Sequence, residues 1–138
     1  MVVRNILDRF TGDVDFHEVY SFTVQFTGAA SFSTKVVCTR VNNLCVIALM
    51  SGTVPIAINS QEFVSDGFEL PPFMVPSVWP LGANILVSNN NVQGVGSIYL
   101  DSMHRLHISG GVNAGDPFIV NSTSVGIPYG AALIYSIV

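Results

Sequence analysis

The chain is 138 residues long, enough for one domain with a substantial core. Charged residues make up only 10% of it and hydrophobic residues 49%, whereas ordinary globular domains carry roughly 25% charged residues. The net charge is −4, and the five basic residues, Arg4, Arg9, Lys35, Arg40 and Arg105, are scattered, which excludes a basic stripe for binding nucleic acid.

Residues 1–15 read as a lead-in segment or the end of a stalk. Residues 16–138 read as a single domain. Met1-Val-Val-Arg-Asn is followed by Asp8 and Arg9, without the long apolar core of a signal peptide. The expectation is a chain that reaches its site without a secretion signal, or a domain of a longer chain. Glu18 to Thr27 alternates, with Tyr20, Phe22, Val24 and Phe26 on one face and Val19, Ser21 and Thr23 opposite. That period of two predicts a half-buried strand.

Phe32 to Arg40 and Leu44 to Ser51 predict a hairpin turning at Asn42-Asn43, where asparagine tolerates positive φ. Cys38 and Cys45 flank this turn. Two cysteines make no disulfide framework, and they read either as buried free thiols or as a cross-strand disulfide. The longest apolar run, Leu44 to Met50, is far short of the ~18 to 20 residues that span a bilayer, so membrane insertion is not expected. Val54 to Ile58 is a short strand, and Pro55 places it at a sheet edge.

Leu70 to Pro80 holds four of the seven prolines and the single tryptophan, Trp79. Proline cannot donate to a ladder and disfavours helix before it. An apolar stretch of this kind predicts an extended crossover pinned to the core. Beyond it, Asn84 to Ser88 is a strand ending at the Asn89-Asn90-Asn91 turn. Val95 to Leu100 and Arg105 to Ser109 predict a second hairpin across Asp101 to His104. Pro117 to Asn121 reads as a strand. Ala131 to Val138, apolar to the last residue, predicts a central strand.

Eight to ten short strands with turn signals every 8 to 12 residues predict an all-β, antiparallel sandwich. No catalytic constellation is present, so the chain does not read as an enzyme, and no cofactor is expected. His104 and His107 are three apart, which on a strand places them on opposite faces and not as a metal pair. No serine sits in a Gly-x-Ser-x-Gly context, and Asp66 and Glu69 read as loop dressing. Asn121-Ser122-Thr123 is a sequon that matters only in a secretory route. Trp79, Tyr99, Tyr129 and Phe73 could form a platform for sugars; alternatively Trp79 and Phe73 anchor the proline segment. The loops Asn59-Ser60-Gln61-Glu62, Asn89-Asn90-Asn91 and Asn113-Ala114-Gly115-Asp116 are the candidates for contacting a partner, since binding residues concentrate on loops carried by a rigid scaffold.

Three stretches carry a resemblance. They are Leu70-Pro71 with Phe73 and Pro76, Gly96-Ser-Ile-Tyr-Leu followed by Leu106-His-Ile, and Gly126 leading to Ile134-Tyr135-Ser136-Ile137. Over residues 16–138 the order and spacing resemble the trimeric jelly-roll heads of viral and phage fibres and spikes, similar in turn to complement-type and tumour-necrosis-factor-like domains. The second hairpin departs from the pattern, with Asp101-Ser102-Met103-His104 where a turn glycine is often found. The resemblance implies a jelly-roll fold and a homotrimer, with Tyr20, Phe22, Leu133, Ile134, Tyr135 and Ile137 near the three-fold axis. It also implies a virion appendage that meets other virion proteins and a host receptor or glycan. The alternative expectation is a carbohydrate-binding, lectin-like jelly roll with no virion role.

Overall fold

A computed structural model describes residues 17–79 and 81–137. The lead-in expected over residues 1–15 lies outside the described residues. Ten strands follow in order: β1 His17–Gly28, β2 Phe32–Val41, β3 Leu44–Leu49, β4 Gly52–Ile56, β5 Phe63–Asp66, β6 Leu81–Asn89, β7 Val92–Leu100, β8 Leu106–Ser109, β9 Thr123–Ile127 and β10 Ala131–Ser136. All pairings are antiparallel, in a single curled sheet of order β10-β3-β2-β1-β5-β8-β7-β6-β9-β4. The fold is therefore all-β, as the alternation predicts, and its curled sheet is consistent with a jelly-roll sandwich. The curl brings β10 close to β6 and β7, and β2 close to β4.

Strand alternation sets what lies inside. Val24 and Phe26 of β1, Val36 and Cys38 of β2, Cys45 and Ile47 of β3, and Leu133 of β10 fill one half of the core. Phe63, Ile98, Leu106, Ile108 and Phe118 fill the other half. A run of rings ties the halves together. Phe26 stacks on Phe32 at 5.2 Å, Phe32 meets Phe63 edge-on at 4.9 Å, and Phe63 meets Phe118 at 5.1 Å. Offset and edge-on pairs at such separations are favoured beyond the area they bury.

The hairpins turn where asparagine predicts. Asn42 has a φ of 52°, and Val41 pairs with Leu44. Asn90 and Asn91 have φ of 56° and 57°, as the type I′ turn of a two-residue hairpin requires. In this register Cys45 faces Arg40 and Cys38 faces Ile47, so the cysteines are not opposed. Both are free and buried. Burial, with Cys45 adding to it, pushes the Cys38 thiol up to about 12.

The proline segment crosses from β5 to β6 as predicted, with Leu70, Met74 and Pro76 buried. It contains one 3-10 turn, Pro72–Met74, which proline at its start permits. Arg40 donates to the Phe73 carbonyl at 2.5 Å and the Tyr135 hydroxyl to the Met74 carbonyl at 2.7 Å. These two bonds pin the segment.

Two local expectations are corrected. Pro117 to Asn121 is a loop whose Phe118 is buried while Ile119 and Val120 face solvent; the strand comes later, at Thr123–Ile127. Among the described residues β10 pairs only with β3 and ends the sheet order, so it is not central. Its apolar run is continuous because Leu133 and Tyr135 face the core while Ile134, on the other face, is 63% exposed. The edge position predicted for the Pro55 strand does hold, because among the described residues β4 pairs only with β9 and closes the other end of the order.

Candidate functional site

The strongest concentration of polar chemistry lies on the outer face of β7 and β8. In β8 the core residues Leu106 and Ile108 alternate with His107 and Ser109, which therefore lie on the opposite face of the strand, where they too are buried, Ser109 completely. Tyr99 on β7 stands opposite His107, and its ring stacks on the imidazole at 4.2 Å and 11°. Asp101 comes from the β7–β8 turn and Glu62 from the residue before β5.

His107 is held between two carboxylates. Its Nδ1 lies 2.6 Å from Glu62 Oε1 and its Nε2 lies 2.6 Å from Asp101 Oδ2. Glu62 also accepts from the Tyr99 hydroxyl at 2.8 Å and from the Ser109 hydroxyl at 2.9 Å. Asp101 accepts from Arg105 Nε at 2.9 Å and from the backbone N–H groups of Met103 and Arg105 at 2.9 and 3.0 Å. Two anions meet two cations, so the cluster is neutral with the ring protonated.

Titration directions agree with that arrangement. Burial by itself raises both carboxyls. For Glu62 the bonds from His107, Tyr99 and Ser109 outweigh burial and hold the group below its usual 4.5. For Asp101 the bonds from His107 and Arg105 do so and bring it down to about 2 from 3.8. Burial disfavours the imidazolium, yet its bonds to Glu62 and Asp101 raise His107 above 6.5. Burial and the neighbouring Glu62 raise the Tyr99 phenol, so it remains a donor.

This arrangement does not support catalysis by His107. With both ring nitrogens committed to carboxylates, the ring has no lone pair for a general base. The Ser109 hydroxyl donates to Glu62 and not to the ring, so no nucleophile is activated. Among the described residues no His, Cys, Asp and Glu group is arranged to hold a metal ion. What the cluster does is join segments. Ser109 accepts from the Gly115 N–H at 3.0 Å while donating to Glu62, which links the loop after β8 to the loop before β5.

The loop residues singled out from sequence fall into two groups. Gln61 lines a cleft of about 520 Å³ with Ser60, Glu62, Gly115 and Pro117, so the Asn59–Glu62 loop and the segment that follows Asn113 share its rim. Asn59 donates to the Gly28 carbonyl at 2.9 Å, and the Gln61 carbonyl accepts from Phe118 at 2.9 Å. Asp116 accepts from the Asn113 N–H at 3.0 Å. Asn89, Asn90 and Asn91 instead meet the turn at Ile119 to Thr123; the Asn91 N–H donates to the Thr123 carbonyl at 2.7 Å.

The residues that the resemblance places near an axis also separate. Leu133 and Tyr135 are buried in their own chain. Tyr20 packs on Phe73 at 5.3 Å and Phe22 on Phe68 at 5.8 Å, both on the inner side of β1. Ile137 is half-buried, its N–H donating to the Asn43 carbonyl at 2.7 Å. Ile134 is on the outer face.

The four aromatics weighed as a sugar platform are dispersed. Trp79 stacks on His104 at 5.6 Å, and Phe73 packs on Tyr20. Tyr129, 71% exposed, accepts from Gln93 near the opposite end of β7. Gln93 and Asp101 are eight residues apart along an extended strand, about 26 Å at ~3.3 Å per residue.

Sequence reasoning weighed His107 only as a metal ligand and Glu62 only as the end of a partner-contacting loop, and it assigned no such role to Asp101, Arg105 or Ser109. The alternation of His107 and Ser109 with Leu106 and Ile108 is a legible sign that one face of β8 is polar, though not that this face is buried. The Glu62 partner, 45 residues away, has no local sign. No protein-family model matches the chain, and no curated protein matches it in sequence.

Proposed function

We propose that this chain is a virion structural protein, the head of a trimeric fibre or spike that attaches through its loops to a host receptor or glycan. The observation that supports this reading is the outer face of β10-β3-β2-β1. Its two central rows are Ile134, Val46, Thr39 and Val19, then Ala132, Ala48, Val37 and Ser21. Neither row holds a charge; Lys35 stands on a flanking row and His17 at the far end. An uncharged, largely apolar sheet face of this kind suits an interaction surface, and burying it between copies accounts for a chain with only 10% charged residues. Three copies on one appendage would also present the Asn59–Glu62 and Asn113–Asp116 loops multivalently, raising effective affinity without new contacts.

The test is solution mass by light scattering on a sizing column. The expected mass is near three times the 14.8 kDa chain. Ile134→Asp, on a side chain 63% exposed in the single chain, is expected to leave the fold intact and reduce the mass to one chain. A wild-type chain that runs as a stable monomer overturns the proposal.

A further inference from the structure

We propose that His107 is a charge-dependent latch: as an imidazolium it ties Glu62 to Asp101, and loss of its proton releases the loop before β5 together with the loop after β8.

The distances carry the first half of this. Both ring nitrogens lie 2.6 Å from a carboxylate oxygen. A neutral imidazole has one N–H and one lone pair. It satisfies one carboxylate and turns its lone pair on the other, so one of the two contacts must open.

The groups facing the ring decide which one opens. Tyr99 stacks on it from β7, Asp101 and Arg105 flank it from the β7–β8 turn, and Glu62 meets it from the segment before β5. Asp101 retains the Arg105 guanidinium and two backbone N–H donors when the ring is neutral. Glu62 retains only the Tyr99 and Ser109 hydroxyls. Among the described residues its one cation is His107. A part-buried carboxylate without a counter-charge moves toward water, so the Glu62 side opens. Ser109 then loses its acceptor, and the bond that Gly115 makes to Ser109 loosens with it.

The sign follows from the directions of titration. The bonds to Glu62 and Asp101 raise the ring above its usual 6.5 against burial, so the latch is closed below the raised value and opens as pH rises through it. On the acid side it lasts until the carboxyls protonate, Glu62 below 4.5 and Asp101 at about 2. The released segments flank the 520 Å³ cleft. Any effect on binding rests on the loop-attachment reading above; the latch itself does not.

The experiment follows the ring nitrogens of His107 by NMR in the ¹⁵N-labelled wild-type chain from pH 5 to 10, with no ligand present. Amide protection factors at Gly115, Phe118 and Ala29 are recorded in parallel, with Ile98 as a core control. The expected result is a ring carrying both protons at pH 7. As it loses one, protection at Gly115 falls at least tenfold while Ile98 is unchanged. Glu62→Gln is expected to show the lower Gly115 protection already at pH 7. If that variant does not fold, the wild-type titration still decides. A ring with a single proton at pH 7, a ring doubly protonated through pH 10, or a titration that leaves Gly115 protection unchanged overturns the latch. A monomeric mass would remove the fibre-head reading and leave a positive latch result standing.

Discussion

Replacing Glu62 by Gln removes one charge at nearly constant shape, which makes it the sharpest probe of the cluster. The carboxylate receives hydrogen bonds from His107 at 2.6 Å, Tyr99 at 2.8 Å and Ser109 at 2.9 Å. Each bond to a charged group contributes about 1.5 to 3 kcal/mol net. The loss is smaller than their sum, because the amide oxygen still accepts and the two hydroxyls rotate. His107 also keeps Asp101 as a counter-charge. The expected destabilisation at pH 7 is about 2 kcal/mol, a roughly thirtyfold shift in the unfolding equilibrium. The side chain is 16% exposed, so solvent screening reduces this little.

The pH dependence is the discriminating part. Glu62 has a lowered folded value, so its stabilisation is full above 4.5 and is lost as pH falls below 4.5 through the lowered folded value. His107 has a raised folded value, so the partner's charge is lost as pH rises through it. The difference between wild type and variant is therefore bell-shaped in pH, largest between these limits. Urea unfolding followed by the fluorescence of Trp79, the single tryptophan, measures it. A difference under about 0.5 kcal/mol at pH 7, or one that is flat in pH, would refute the charge argument and leave only ordinary packing.

Two further outcomes test the scaffold. Gly126 on β9 has a φ of +136°, and a Cβ there would lie 2.4 Å from the Gly52 carbonyl oxygen on β4. Gly126→Ala is expected to cost more than about 2 kcal/mol in the same urea assay, because the backbone is strained for any L side chain and the strand pair must separate; an effect within experimental error would contradict the β4–β9 pairing. Cys38 and Cys45 are buried thiols, so a thiol reagent is expected to modify neither in the folded chain and both in denaturant; fast labelling without denaturant would contradict the hairpin register.

Much of the architecture was legible because β-structure writes itself locally. A period of two assigns a face to every residue of β1, and Asn42 and the Asn90-Asn91 pair mark turns by tolerating a left-handed backbone. The two-residue turn at Asn42-Asn43 also sets the cysteine register. The proline segment could be read as a pinned crossover because proline removes donors and restricts the residue before it. Those inferences need only neighbours in sequence.

The errors have the opposite character. Pro117 to Asn121 carries strand-like residues, yet only Phe118 finds a place in the core, against Phe63, and the remainder stays a loop. The apolar run of β10 suggested a strand covered on both sides, but its outward residue Ile134 is exposed. Hydrophobicity alone does not distinguish a residue covered by its own chain from one left open at the end of a sheet.

Composition and pattern by themselves determined an all-β, charge-poor domain with its turns and most of its strands. Only the tertiary structure decided that Glu62 meets His107 across 45 residues, with Asp101 on the other side of the ring. Strand order in a curled sheet is set by which long-range edges pair, and no residue carries a local sign of its distant partner. The charge state of His107 depends on such a meeting, because a carboxylate at each ring nitrogen favours the imidazolium that burial alone would disfavour.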